Sequence, residues 1–339
     1  MINSLLRYIF VGLLILLSQF LFCQDRDWIT FFPSSELNNG KRIVLISGDE
    51  SYRSEESLPM LAKILTYHHG FHTTVLFSIN PNTGFIDPNY HHNIPGIYLL
   101  DSADLLILST RFRELPNEQM KFLDRYLNLG KPIIGLRTAT HAFRFREGSD
   151  SKYLKYDYRG KGQWNGGFGK KILGETWVSH HGLEKEGTVS LLDGFSEMEK
   201  HPILKGVGMI YCPSGVYSSR RLDSSTKVLL WGAATNSLYN DSIPVFTKSI
   251  MPIAWVRTYK IQENIRGKVF TTTLGASVDF LDKDLRKLVI NAVYWTLGFE
   301  DKIPKEGCKV PLVDEFVPTM YGFDGFSKNL KPYHFKKKK

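Results

Sequence analysis

Charged side chains follow three apolar segments of this sequence, at the point where each predicted strand ends. They are Asp49, Glu50 and Arg53 after Lys41–Ser47, Arg111 and Arg113 after Ala103–Ser109, and Arg137 and His141 after Pro132–Leu136. In an open α/β sheet, ligands bind beyond the carboxyl ends of the strands. Because a guanidinium group matches carboxylate, phosphate or polyhydroxy oxygens, three such sets predict one ligand site. The alternative is a structural network in which Asp49 and Glu50 pair with the arginines.

The segment Lys131–Phe145, KPIIGLRTATHAFRF, is the centre of this pattern. A nucleophile elbow would lie at this strand-to-helix turn, but its central residue is Arg137, which cannot be a nucleophile. Thr138 has a hydroxyl group that nothing in the sequence activates. Covalent catalysis of the elbow type is therefore disfavoured. The structural alternative is that Thr138 or Thr140 caps the next helix and that His141 satisfies a backbone group.

Histidine and carboxylate side chains supply the acid–base candidates. General acid–base chemistry by His141, His180 or Glu50 stays open. A divalent metal is another use for such side chains, and its ligands would come from His141, His180, His181, Asp49 and Glu50. Their spacing in the sequence is not diagnostic of a metal site. We therefore predict no cofactor and keep a divalent metal as the alternative.

Apolar runs alternate with helical patterns in the first half of the chain. The predicted strands and helices are Lys41–Ser47, Ser54–His69 (helix), Thr73–Ser78, Ala103–Ser109, Asn117–Leu129 (helix) and Pro132–Leu136. This alternation predicts a parallel sheet with helices on both faces. Further predicted elements are strands at Thr188–Leu191, His201–Leu204, Lys227–Trp231, Ile250–Val256 and Lys268–Leu274, and a helix at Asp282–Leu297. Neither a G-x-G-x-x-G after the first strand nor a P-loop is present, so nucleotide fingerprints are absent.

The composition is that of a globular protein with a sizeable core, since 42% of the 339 residues are hydrophobic and 13% are aromatic. We predict a lead-in at residues 24–40, one domain at residues 41–300 with long loop excursions such as Gly148–Gly174, and an irregular tail at residues 301–339. The formal charge is +9, partly from Lys336–Lys339. No basic stripe is interleaved with stacking aromatic residues, so we expect no nucleic-acid partner.

Residues 1–23 have the pattern of a signal peptide. Arg7 supplies a positive n-region, and Tyr8–Leu17 is an apolar stretch that is too short and interrupted for a membrane span. We predict export to the periplasm or the extracellular space, with cleavage near Cys23. A lipid-modified Cys23 and a retained anchor are the alternatives. Cys212 and Cys308 then remain, and two cysteines that could pair make no disulfide framework.

Six blocks in order resemble the ThuA-like (trehalose utilisation) family of the class I glutamine amidotransferase-like superfamily. The blocks are GDESYRSEESLPMLAKIL, LLILSTRFRELPNEQM, GKPIIGLRTATHAF, HPILKGV, PIAWVRTY and GKVFTTTLGASVDF. The resemblance spans roughly residues 41–300. It implies a flavodoxin-like, mostly parallel sheet with extra strands, and an association with disaccharide catabolism by way of keto-sugars. Amidotransferases of the superfamily carry cysteine at the elbow, where this chain has Arg137, so glutamine hydrolysis is not expected.

The resemblance also implies the residues of the site. These are Asp49, Glu50, Tyr52, Arg53, Arg111, Arg113, Arg137, His141, His180 and Asp279. We assign catalysis to His141, His180 and Glu50 and substrate binding to the others, together with Thr138. The function that we predict is binding of, or action on, a small carbohydrate, as a hydrolase or lyase-like enzyme. The alternatives are a non-catalytic module that binds a glycan or a small acid, and a scaffold whose charges only pair with each other.

Overall fold

A computed structural model describes residues 27–182, 185–191, 201–238 and 243–336. The predicted signal peptide lies outside these ranges. Within them the strands are β1 Trp28–Phe31, β2 Arg42–Gly48, β3 His72–Phe77, β4 Ile79–Asn80, β5 Phe85–Ile86, β6 Leu105–Thr110, β7 Ile133–Leu136, β8 Thr188–Leu191, β9 Tyr211–Cys212, β10 Lys227–Ala234, β11 Met251–Gln262 and β12 Ile265–Thr272. The α-helices are α1 Ser54–His69, α2 Asn117–Asn128 and α3 Lys283–Thr296.

Ten of these strands form one mixed sheet in the order β1-β3-β2-β6-β7-β12-β11-β10-β8-β9. The five strands from β3 to β12 pair in parallel, and the flanking strands pair antiparallel. Counted along the chain, the parallel strands have the order 2-1-3-4-5, which is that of a flavodoxin-like sheet. The predicted α/β fold is thus confirmed, and antiparallel strands extend it on both sides.

Helices cover both faces of the sheet, as predicted. Successive residues of β2 point to opposite sides, and both sides are buried. Ile43 and Leu45 belong to the apolar cluster that contains α1 and α3. Val44 and Ile46 belong to the cluster that contains α2. This double burial explains why the strand reads as a continuous apolar run in the sequence.

The bounds of α1 are those of the predicted helix Ser54–His69, and Ser54 fixes its start without being the N-cap. Arg53 occupies the N-cap position with a left-handed backbone (φ 58°) and gives no side-chain cap. The hydroxyl group of Ser54 instead lies 2.8 Å from the Ser47 hydroxyl and accepts from the Gly48 amide. Ser54 therefore ties the helix start to the end of β2.

One predicted strand is corrected by the structure. His201–Leu204 does not form a strand, because Pro202 follows a His201 cap and begins the short 3-10 helix Pro202–Leu204. Cys212 and Cys308 are both buried free thiols, so they do not pair with each other. Among the described helices, none has the length and apolar character needed to cross a bilayer.

Candidate functional site

The loops after three neighbouring parallel strands each contain a non-glycine residue with left-handed backbone angles. These are Arg53 after β2, Phe112 after β6 and Arg137 after β7, with φ values of 58°, 52° and 48°. A left-handed conformation costs a side-chain-bearing residue roughly 1–2 kcal/mol. Such conformations persist where surrounding contacts fix the backbone, and they cluster at active sites and ligand-binding sites. We call this carboxyl edge of the parallel strands the rim.

Arg137 lies at the elbow itself, directly after β7 and before the short 3-10 helix Arg137–His141. Its guanidinium group is buried and donates to the carbonyl oxygens of Gly215 (2.9 Å) and Thr273 (2.6 Å) and to the Tyr52 hydroxyl (3.1 Å). The rings of Tyr52 and Tyr217 lie 4.3 and 4.1 Å from it. Arg137 thus joins the elbow to three other segments of the chain.

Two carboxylates at the rim act as anchors between loops. Asp49 is buried and accepts from the Ser51 and Tyr52 amides (2.8 and 3.0 Å) and from the Thr138 hydroxyl. Asp49 and Thr138 therefore connect the loop after β2 to the elbow. Asp279, also buried, accepts from the backbone amide and the hydroxyl group of Ser214 and from two amides after β12.

Glu50 is the centre of a charged cluster between β2 and β6. Its two oxygens accept from Arg111 and, at 3.0 Å, from Arg113. Burial raises the pKa of Glu50 above its usual value even with these arginines beside it. His91 lies 3.8 Å from the same carboxylate, but burial and then Arg113 lower the pKa of His91 to about 3, so it is neutral there.

The three arginines near this cluster differ in how much of their side chains is exposed to solvent. Arg113 is buried, and its other donors reach the Ser78 hydroxyl and three carbonyl oxygens. Arg53 is also buried; it lies 3.3 Å from the Ser51 carbonyl oxygen and forms no ion pair within the described residues. The Arg111 side chain keeps 21% of its surface exposed between the rings of Phe112 and Phe323. Arg111 is therefore the most exposed of these three cations.

His141 is buried among aromatic rings. Phe112, Trp177 and Tyr217 lie 5.1, 5.3 and 6.1 Å from it, centroid to centroid, and its Nδ1 is 3.2 Å from the Thr140 hydroxyl. Burial, followed by the nearby charges of Arg111 and Arg137, holds the pKa of His141 well below its usual value. His141 is therefore a neutral imidazole at physiological pH.

A cavity of about 630 Å³ opens beside the elbow. Its lining includes Ser51, Tyr52 and Arg137 from the rim and His180 and Gly215 from neighbouring loops. The His180 side chain is exposed and packs against Trp177 and Tyr217, at 5.9 and 5.2 Å. His180 is thus the predicted histidine that lies in the cavity wall, with His141 behind the same two rings. We call this space the rim cavity.

The far wall of the rim cavity comes from residues 320–323, which the sequence prediction left in an irregular tail. Tyr321 donates to the Pro213 carbonyl oxygen (3.1 Å) and lies 5.3 Å from the Tyr52 ring. The Gly322 amide donates to the Ser51 carbonyl oxygen (2.8 Å), and the Phe323 ring lies 5.2 Å from the Arg111 guanidinium group. No periodicity in residues 320–323 predicts that they line the cavity, since their contact partners are far away in the sequence.

The described residues hold no group of three or more His, Cys, Asp or Glu side chains placed to share a metal ion. The predicted metal ligands His141 and His181 also have other neighbours. Nδ1 of His141 faces Thr140, and Nε2 of His181 lies 2.7 Å from the Ser249 carbonyl oxygen. Asp49 and Glu50 are engaged as described above.

The fold and the rim define a flavodoxin-like α/β protein whose strand ends enclose a cavity. The sequence model of the ThuA family, described as trehalose utilisation, matches residues 96–296, and the chain belongs to this family. No curated protein matches the chain. The chain is similar to ThuA-like proteins of known structure from Bacteroides uniformis ATCC 8492 (15% identity, TM-score 0.46, covering 77% of this chain and 93% of that one) and Parabacteroides merdae ATCC 43184 (14%, 0.48, 80% and 96%).

Proposed function

We propose that this ThuA-family protein binds a small carbohydrate, a disaccharide or a keto-sugar, in the rim cavity and acts on it by proton transfer. The observation that carries the proposal is the lining of the cavity. Tyr52, Tyr321 and Phe323 supply aromatic surface for a sugar ring, and His180 supplies a hydrogen-bonding group beside them. Ligand cavities typically combine mostly apolar and aromatic walls with a few placed polar groups.

The proposed roles follow from accessibility. His180 exchanges a proton with the ligand, because its side chain lies in the cavity wall and is exposed. Neutral His141 packs behind Trp177 and Tyr217, the two rings that also hold His180 in the cavity wall. Arg111 lies behind Phe323 of the cavity wall, where Glu50 holds it, and its exposed part binds a carboxylate or keto oxygen of the ligand at the edge of the cavity. A hydrolase or lyase-like reaction is the class that such acid–base groups serve.

Glutamine hydrolysis is not part of the proposal. The elbow residue Arg137 has no nucleophilic atom, and its guanidinium group is engaged with Gly215, Thr273 and Tyr52. The same engagement favours a second candidate, a non-catalytic module that binds a glycan or a small acid. In that case the arginines and carboxylates of the rim shape the cavity, and the aromatic wall and His180 meet the ligand.

A thermal-shift screen with disaccharides, 3-keto-sugars and uronates, followed by turnover assays, tests both candidates. We expect a ligand that raises Tm by several degrees and is then converted. His180→Gln should keep the shift but lower turnover at least about 100-fold, the usual contribution of a general acid or base. The matched control is His181→Gln, since the neighbouring His181 bonds to Ser249 and does not line the rim cavity.

The other outcomes separate the candidates. A ligand that raises Tm but stays unaltered would identify the binding module. If no sugar or acid changes Tm, the proposal is overturned, and the result favours a scaffold whose rim charges only pair with each other. Chelation with EDTA should leave turnover unchanged, because no metal is part of the proposed chemistry, and loss of turnover that a divalent ion restores would contradict this.

We also propose that the chain is exported, on the basis of Arg7 and the apolar stretch Tyr8–Leu17. The test is intact-mass measurement of the protein recovered from its native host. Loss of about the first 23 residues is the expected result. A mass that includes residue 1 would contradict cleavage, and a lipid adduct on Cys23 would identify the anchored alternative.

A further inference from the structure

A second cavity, of about 570 Å³, lies on the hairpin of β11 and β12. Five cationic side chains and one carboxylate line it, namely Lys170, Lys171, Arg257, Lys260, Arg266 and Asp223. Arg266 lies near the start of β12, and β12 runs parallel to β7. The cavity is therefore displaced towards the opposite edge of the sheet from the rim. None of its lining residues lines the rim cavity.

Most of the positive charge in this cavity has no counter-charge. Lys171, Lys260 and Arg266 form no ion pair with any residue that the structure describes. Lys260 and Arg266 are also directly opposite each other across the antiparallel pair of β11 and β12. Like charges in opposed positions of a sheet destabilise it. A bound anion would remove this repulsion.

Arg257 carries a further, poorly compensated charge on the same wall. Its side chain is only 10% exposed, and the nearest carboxylate, that of Asp223, lies 3.6 Å away, which is too long for a hydrogen bond. The Asp223 carboxylate already accepts from the amide and hydroxyl groups of Ser225. One Arg257 donor reaches the Lys170 carbonyl oxygen at 3.1 Å. Burial accordingly lowers the pKa of Arg257.

Neutral polar groups complete the lining of the cavity. Gln163 and Asn165 reach it from the long excursion after β7, and Thr258 lies on β11. Amide and hydroxyl groups complement the hydroxyl groups of a sugar, whereas the cations complement an oxyanion. The cations also surround a concave space instead of forming a flat stripe. This shape fits a small soluble ligand better than a lipid surface or a nucleic acid.

We propose that this cavity is a second ligand site, which binds a sugar that carries an oxyanion. The oxyanion lies against Arg257, Lys260 and Arg266, and the sugar hydroxyl groups face Gln163 and Asn165. Phosphate, sulfate and carboxylate share this chemistry, and the affinities of three related ligands will identify which of them the site prefers. The proposal is independent of the function of the rim cavity.

Isothermal titration calorimetry with glucose 6-phosphate, glucose 6-sulfate, glucuronate and glucose tests the proposal. We expect at least one charged sugar to bind at low salt and glucose to bind at least tenfold more weakly. Raising the salt from about 50 to 200 mM should weaken binding, because partly exposed charges are screened. The double variant Lys260→Gln/Arg266→Gln should lose at least about tenfold in affinity, since charge-assisted hydrogen bonds are lost.

The matched control is Lys121→Gln/Lys305→Gln, which removes two exposed cations elsewhere. It should bind like the wild type, so a loss of affinity confined to the Lys260/Arg266 variant identifies binding at the hairpin and not at the rim. The Lys260/Arg266 variant should have a Tm without ligand that equals or slightly exceeds the wild-type value, because both side chains are exposed and their mutual repulsion is removed. Equal affinity of this variant and the wild type, or equal affinity for glucose and the charged sugars, would overturn the proposal.

Discussion

Arg137 is a structural cation in the described part of the chain, because its donors reach Gly215, Thr273 and Tyr52. We expect Arg137→Met to lower the free energy of unfolding by about 3 kcal/mol or more, since buried acceptors lose their donors. Urea unfolding measures this change. Arg146→Met is the control, because the Arg146 side chain is 75% exposed and its loss should cost less than about 0.5 kcal/mol. A similar, small effect of both variants would show that the Arg137 contacts contribute little.

Glu55, in the first turn of α1, is a buried carboxyl group without a hydrogen-bond partner on either side-chain oxygen. Burial raises its pKa from 4.5 to about 8. The folded state therefore holds a proton that the unfolded state releases above pH 4.5. The free energy of unfolding therefore falls as the pH rises from 4.5 towards 8. At pH 7 it is about 3 kcal/mol lower than at low pH.

The variant Glu55→Gln should abolish this loss of stability. Urea unfolding at pH 5 and pH 7.5 should show that the variant gains stability over the wild type at the higher pH. Glu118→Gln, which changes an exposed first-turn carboxylate of α2, should keep the wild-type dependence on pH. A Glu55→Gln variant with the wild-type slope would mean that this carboxyl group is ionised in the folded protein.

At the scale of the elements, the end of α1 depends on Gly70. Gly70 has φ 73°, and a Cβ atom there would meet the Leu37 carbonyl oxygen at 1.8 Å. Gly84 has nearly the same angle (φ 69°), but a Cβ atom would meet nothing within 4 Å. Gly84→Ala should therefore lower the free energy of unfolding by only about 1 kcal/mol, because alanine disfavours this backbone conformation. Gly70→Ala should lower it by at least about 2 kcal/mol more, because its Cβ atom also clashes with Leu37. Equal losses in urea unfolding would show that the segment around Leu37 moves aside freely.

Local signals predict elements well where they are complete. The bounds of α1 follow from acidic residues in its first turn, an apolar face and Gly70, all of which lie within the helix or directly after it. The contacts of the site are of another kind. Arg137 meets Gly215 and Thr273, which lie 78 and 136 residues further along the chain. No pattern around Arg137 reveals whether its donors meet a ligand or these carbonyl oxygens, so the sequence predicted the rim but not which charges stay accessible.

At the scale of the whole molecule, the two described cysteines are buried free thiols in the same apolar cluster. Burial raises the pKa of Cys308 to about 12 and holds the pKa of Cys212 well above its usual value. We expect a reducing agent to leave Tm unchanged and iodoacetamide to react only as the protein unfolds. Mass spectrometry of alkylated protein, with and without urea, measures this. A Tm that falls on reduction would indicate a disulfide that the structure does not contain.

The wall formed by residues 320–323 has a consequence for the order in which the protein matures. A chain that has been translated through α3 already contains every strand of the ten-stranded sheet. It still lacks Tyr321 and Phe323, so its rim cavity is open on one side. The ligand binding that we propose at the rim therefore depends on a segment that follows α3 in the chain and folds back over α1 after every strand of this sheet has been made.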